Sequence, residues 1–371
     1  MTRGMEKKKT LYVPQDLIIQ ILLRLPGISL LRFKCIRKSW FYLISDPVFT
    51  NSHFQITSAT HTPRILFMSN YLQKTLSLDS ESKLDFDTAR EIPRPDFLHP
   101  QSNFCKETIS SCRGFIFLHN SSNFNIWNPS TGVHKQIPLS PNELKVYNYC
   151  YLYGFGYDQL RDDYLVVSVS FDISLDDNYS RLEFFSLRDN TWKEIEGTQF
   201  PYINYHLEPR VGSVFNGAIY WLASHENLLI DVILAFDLTK RELLEMSFPD
   251  GFNPDFEDCD FCVFGEFLSL WAMDYDNDNF EIWVMKEYKV HSSWTKTLVF
   301  SIDDLSTRYF YPICSTKSGD IVGKDVDTVL QKYNDKGQLL EHESYCEGSL
   351  KSQVVVYTES LFSLPGDNIQ V

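Results

Sequence analysis

Residues 114–138, GFIFLHNSSNFNIWNPSTGVHKQIP, decide how the rest of the chain is read. An aromatic and β-branched run (114–119) gives way to a short polar gap. A second run ends in Ile126-Trp127, an Asn-Pro-Ser-Thr-Gly turn follows, and a third run closes on Pro138. Short apolar runs punctuated by Asn, Ser, Pro and Gly are the pattern of antiparallel strands joined by tight turns. The unit returns along the chain. YLVVSV (164–169) leads to LEFFSLRDNTWKEI (182–195), and GAIYWLA (217–223) to ILAFDLTKRELLEMSF (233–248). FLSLWAM (267–273) leads to EIWVMKEYKVHSSWTKTL (281–298), and GDIVG (319–323) to VLQKYNDKGQLL (329–340).

The hairpins start near positions 125, 182, 233, 281 and 329, in steps of 57, 51, 48 and 48. A repeat near 50 residues with four strands per unit predicts the blades of a β-propeller. An earlier hairpin, 64–67 with 75–78, makes a sixth unit. The last run, 354–357, has no partner of its own and is expected to close the ring on the first blade, which removes an open sheet edge. Six blades are favoured, with seven as the alternative; a pair of β-sandwiches would not give so even a period.

Ahead of the repeats the texture differs. Leu17, Ile18, Ile21, Leu22 and Leu25 recur at spacings of three and four, an apolar stripe on one helix face. Pro14 suits the first helical position and Asp16 the positive end of the dipole. Pro26-Gly27 breaks the pattern, Ser29 can cap a second helix carrying Leu30, Leu31, Phe33 and Lys34, and a third spans about 38–45 with Trp40, until Asp46-Pro47 stops it. Three helices this short cannot bury their apolar surface alone, which implies a partner or a neighbouring domain.

Charge divides along the same line. The chain of 371 residues has a net charge of -15. Residues 1–52 carry +6 and the remainder -21. An acidic body of this kind repels nucleic acid, and the basic head suits an acidic protein partner. No apolar run approaches the roughly 20 residues of a membrane helix, and the start of the chain lacks the apolar core of a secretory signal. The eight scattered cysteines are too sparse for a disulfide scaffold and are expected as free thiols in a reducing compartment, cytoplasm or nucleus.

Residues 13–54, VPQDLIIQILLRLPGISLLRFKCIRKSWFYLISDPVFTNSHF, resemble the F-box of plant F-box proteins, and the body resembles their F-box-associated, kelch-like propeller domain. The matching signatures are CRGFIFL (112–118), IWNPSTG (126–132), YGFGYDQLRDDYLVVSV (153–169), FFSLRDNTWKEI (184–195), FNGAIYWLA (215–223), LAFDLTKREL (234–243), IWVMKEYKVHSSWTK (282–296) and YTESL (357–361). They cover nearly the whole chain in order. The resemblance implies a basic tail (1–10), an F-box (11–54) and a substrate-binding propeller (55–371): a mainly β chain with a small three-helix module.

It further implies the substrate-recognition subunit of a Skp–cullin–F-box ubiquitin ligase, which binds the Skp-type adaptor, and through it cullin, by the F-box and a target by the propeller, with no catalysis and no cofactor of its own. A non-degradative interaction scaffold is the alternative. By match to the motif, the adaptor-binding residues are Pro14, Leu17, Ile18, Ile21, Leu22, Leu25, Leu30, Phe33, Lys34 and Trp40, shared between the module's own core and its interface. The chain departs from the family with Val13-Pro14 for Leu-Pro, with Gln20 for Glu, and with Gly27-Ile28 for Val-Lys; Gly27 is expected to loosen the turn.

Other constellations read as structure. Cys259 and Cys262 have metal-ligand spacing but no second pair. Asp274, Asp276 and Asp278 lack the Gly and Glu of a calcium loop. Gly154 and Gly156 precede no helix, so a bend or close packing inside a blade explains them. The tryptophans at 127, 192, 221, 271, 283 and 294 are expected in the core. The acidic connections 172–177 and 250–260 are candidates for a target-binding face.

Overall fold

The computed structural model describes residues 13–365 apart from 61, 70–73, 99–108, 121–122, 142–148, 173–179, 196–201, 204–208, 226–227, 229, 253–257, 275, 302–304, 306–309, 326–328 and 345–351. Four helices, α1 (Gln15–Leu22), α2 (Gly27–Lys34), α3 (Lys38–Ser45) and α4 (Pro47–Thr60), precede six blades, antiparallel throughout except where the short strand Arg210–Val211 pairs parallel with Tyr149–Asp158. From the inside outward, the second blade is Ile109–Cys112, Phe115–Asn120, Asn123–Trp127 and His134–Pro138, so the opening stretch of sequence is three of its four strands. The blade count is six.

The first blade contains both ends of the propeller. Ser352–Tyr357 is its innermost strand and pairs antiparallel with Arg64–Ser69, Tyr357 opposite Arg64 and Ser352 opposite Ser69. Lys74–Asp79 and Arg90–Glu91 complete it. The run expected to close the ring does so.

Each of the six seams between neighbouring blades holds its own apolar cluster. Leu66, Ile116 and Trp127 meet between the first and second blades, and Phe117, Phe124 and Phe155 between the second and third. Trp221 and Leu234 pack on Leu165 and Val167, Phe261 and Trp283 on Tyr220, Phe310 and Tyr333 on Phe280, and Val322 on Phe67. The core is therefore a ring of wedges, because a four-stranded blade must cover both of its faces. Tryptophans 127, 221, 271, 283 and 294 are buried in these seams, and Trp192 is half-buried.

Gly154 and Gly156 pack closely, as the sequence suggests. A Cβ on Gly154 would stand 2.7 Å from Ile219 and 2.8 Å from Trp221 of the next blade, and one on Gly156 would stand 2.5 Å from Leu238.

Two expectations for the helices, the places of Pro14 and Ser29, need correction. Pro14 is the residue before α1, accepting the Leu17 and Ile18 N–H groups at its carbonyl. Pro26 plays the same part for α2, with the Ser29 N–H 2.9 Å from its carbonyl, so Ser29 lies inside that helix and caps nothing. Asp46-Pro47 ends α3 but also begins α4. The Asp46 carboxylate accepts the Val48 and Phe49 N–H groups at 2.8 and 3.1 Å, and a proline at the first helical position loses no hydrogen bond. α4 runs to Thr60, so the boundary expected at residue 54 falls within a helix.

Two outcomes follow from this packing. Gly154→Ala is expected to destabilise the chain by about 1–3 kcal/mol, since the added methyl must displace two packed side chains; the urea midpoint reads it. His119, held between Tyr153 and Phe124, has its pKa lowered by burial to about 4 from an ordinary 6.5. The unfolded chain therefore binds that proton first, and the stability His119 confers is complete above about pH 6.5 and lost as pH falls toward 4. His119→Phe is expected to show a smaller drop in melting temperature between pH 7 and pH 5 than the parent.

Candidate adaptor and target surfaces

The helical module sorts its apolar residues into two sets. Leu22 (2% exposed) and Leu30 (0%) point inward, packed with Leu23, Ile44 and Phe49. Leu17 (55%) and Ile21 (57%), one turn apart on α1, face outward, with Val13, Ile28, Ile36 and Tyr42 also exposed. Ile18, Leu25 and Phe33 are half-buried against the core. Trp40 packs against Phe33 with ring centroids 5.1 Å apart and the planes tilted, and the Arg37 guanidinium is 5.2 Å from its ring. Pro14 is exposed, and burial lowers the Lys34 pKa. Of the ten residues expected at the adaptor, Leu22 and Leu30 belong to the module's own core. Ile28, Ile36 and Tyr42 are outward-facing apolar residues that helical periodicity does not flag.

α4 ties the module together. His53 is fully buried, its Nε2 is 2.9 Å from the Leu25 carbonyl, and its ring stacks on Phe49. An imidazole thus satisfies a carbonyl at the turn between α1 and α2, where helix ends leave carbonyls without partners.

α4 also lies against the propeller. The Arg113 guanidinium, on the turn between the first two strands of the second blade, donates to Asn51 Oδ1 at 3.0 Å. It stands 5.3 Å from the Phe54 ring, 4.6 Å from Phe362 and 4.0 Å from Tyr157. Tyr157 donates in turn to Asp162 at 2.5 Å, and burial with that hydrogen bond raises its hydroxyl pKa to about 12. The helices therefore occupy the face formed by the turn after each innermost strand. The strands leading into 99–108, 142–148, 173–179, 253–257 and 326–328 end on the opposite face.

On the helix side the axial channel holds a cavity of about 700 Å³, bordered by Ser58 and Ala59 of α4 and by Ser110, Ser213, Asp260 and Lys324. Burial raises the Asp260 pKa and lowers that of Lys324. Cys259 and Cys262 share one strand and face different seams, so they do not converge. Among the described residues no cluster of three or more His, Cys, Asp or Glu side chains could hold a metal ion. Asp274 accepts the Asp276 and Asn277 N–H groups at 3.2 and 3.1 Å, a hairpin turn in place of a calcium loop. The middle of the acidic connections 172–177 and 250–260 lies outside the described residues.

A family model described as "F-box associated beta propeller domain" matches residues 64–333, most of the chain and nearly all of the ring. The chain belongs to this family. Among curated relatives, this F-box-associated propeller is 31% identical over 313 residues to the F-box protein CPR1 of Arabidopsis thaliana, covering 78% of this chain and 73% of that protein. It is 27% identical to the F-box/kelch-repeat protein At3g23880 of the same plant, covering 77% and 79%. A solved structure, the Dos1 propeller, aligns with a TM-score of 0.36 and 10% identity over 77% of this chain and 72% of that one, too distant to carry an argument. The family match begins four residues after α4 ends, where the strands begin.

Leu17→Asp with Ile21→Asp is expected to leave helix content and melting temperature close to those of the parent, because both side chains already stand in water. Leu22→Asp is expected to cost about 3 kcal/mol or more, a buried charge replacing a core leucine. Circular dichroism melts separate the two.

Proposed function

We propose that this chain is the substrate-recognition subunit of a Skp–cullin–F-box ubiquitin ligase. The observation that carries the reading is the outward set, Leu17 and Ile21 with Ile28, Ile36 and Tyr42, left exposed while Leu22, Leu30, Ile44, Phe49 and Leu361 fill the core behind them. Isolated exposed apolar side chains are ordinary, but five on the first three helices and the turn between the second and third, flanked by Arg32, Arg37 and Lys38, form a surface suited to an acidic helical partner. The relatives named as F-box proteins support the assignment of that partner as a Skp-type adaptor.

In this reading Pro14, Leu17, Ile18, Ile21, Leu25, Phe33, Lys34 and Trp40 meet the adaptor directly or support those that do, while Leu22 and Leu30 hold the helices that present them. The propeller captures a target on the face away from the helices, where the acidic connections emerge, and a body of this charge favours a basic target surface. The chain performs no chemistry; it raises the concentration of the target beside the ubiquitin-charged enzyme that cullin recruits. The site of action is the cytoplasm, the nucleus or both, where such ligases work.

The test is co-purification of the intact chain with a purified Skp-type adaptor and cullin, with an established F-box protein in parallel. The expected result is a stoichiometric complex whose adaptor affinity falls at least about 100-fold in the Leu17→Asp, Ile21→Asp variant, two interface anchors being worth about 1.4 kcal/mol or more each. Failure of the parent chain to bind while the control binds would overturn the assignment. Adaptor binding without cullin recruitment or target turnover would assign the scaffold role instead.

A further inference from the structure

We infer that residues 358–365, the segment that follows the ring-closing strand, act as positioning residues for adaptor binding by completing the core of the helical module and fixing that module on the propeller. Leu361 is 1% exposed and belongs to the same apolar cluster as Leu22, Leu30, Ile44 and Phe49, although more than 300 residues of chain separate it from them. Phe362 packs on Phe54 of α4 with ring centroids 5.2 Å apart and shares the Arg113 guanidinium with it. Leu364 is buried in the seam between the second and third blades. One segment of eight residues thus places side chains in the helix core, in the joint and in the ring.

Polar contacts fix its path. Glu359 pairs with Arg90 at 2.5 Å, at the outer strand of the first blade. The buried Asn128 side-chain amide of the second blade lies 3.1 Å from Ser360 Oγ and 3.2 Å from the Phe362 carbonyl.

One glycine makes room for the segment, and a second lies beside it. Gly114 has φ +83°, and a Cβ there would stand 2.3 Å from Ser360 Oγ and 2.7 Å from the Thr358 carbonyl. Gly27 is buried at the start of α2, and the space beside it is taken by Leu361, 3.8 Å from where a Cβ would be. A Cβ at Gly27 would therefore meet Leu361 in ordinary van der Waals contact. The motifs CRGFIFL and YTESL, 245 residues apart at their first positions, are the two sides of one contact.

The consequence is that the three-helix core of the adaptor-binding module is incomplete without the end of the propeller chain. The structural part of this inference stands on the contacts alone; its effect on adaptor binding rests on the receptor reading. Hydrogen exchange on the full-length Leu361→Asp chain tests both. Amides of α1–α4 are expected to exchange at least tenfold faster than in the parent, while Ser352–Tyr357 and Tyr149–Asp158 keep their protection and Leu361→Met behaves as the parent. Gly114→Ala is expected to show the same pattern. Adaptor affinity is expected to fall at least tenfold in Leu361→Asp and to be retained in Leu361→Met.

Parental protection of the helices in Leu361→Asp would overturn the inference, as would a loss of protection spread evenly through helices and ring. Loosened helices with undiminished adaptor affinity would overturn the positioning role. A parent chain that binds no adaptor, with the helices still loosening in Leu361→Asp, would contradict the receptor reading and support the structural inference.

Discussion

The pairing of Ser352–Tyr357 with Arg64–Ser69 is the constraint on which the rest of the molecule depends. Without it the first blade would lack its innermost strand and leave Arg64–Ser69 with an unpaired edge, and unpaired edges are open to pairing with other chains. Here the last strand becomes the innermost strand of the first blade. Tyr357 reaches the Ser77 hydroxyl at 2.9 Å, and Ser111 of the second blade donates to the Val356 carbonyl at 2.5 Å. Closure is thus tied to the paired strand, to the strand beyond it and to the next blade.

The same pairing determines where the chain emerges afterwards. Leaving Tyr357 on the helix side of the ring, it has only a few residues in which to pass Gly114, meet Asn128 and enter the helix core with Leu361. Ring closure and completion of the helical module are therefore consecutive events on one strand end. The helices are not tethered by a loop alone: the short stretch between Thr60 and Arg64 holds them at one end and residues 358–365 at the other. A receptor built this way would hold its captured target at a fixed offset from its adaptor. The strands that lead into the acidic connections end on the face away from the helices, so these strand ends and the outward helical residues are separated by the height of a blade.

The propeller was legible because its physics is local and repeated. Runs such as YLVVSV and FLSLWAM, spaced near 50 residues, declare buried strands, and the sixth hairpin and the closing run follow from the need to leave no edge. α4 was not legible, because its buried face carries Phe49 together with Thr50, His53 and Thr57. A helix that buries polar residues, satisfied by His53 on the Leu25 carbonyl, shows no apolar period. The stripe on α1 was legible as a stripe, but which of its residues face outward depended on Leu361, a residue in no sequence window that includes them. Gly114 was visible only as part of the CRGFIFL signature; its reason is a segment brought over it by the last strand.

The central claim is that this chain presents its outward helical residues to an acidic adaptor while the ring stays free for a target. Hydrogen exchange of the full chain with and without a purified Skp-type adaptor measures this most directly. The account predicts slowed exchange confined to α1, α2 and α3, with the propeller strands unchanged. Protection appearing on the face of the ring away from the helices, or no protection at saturating adaptor, would contradict it.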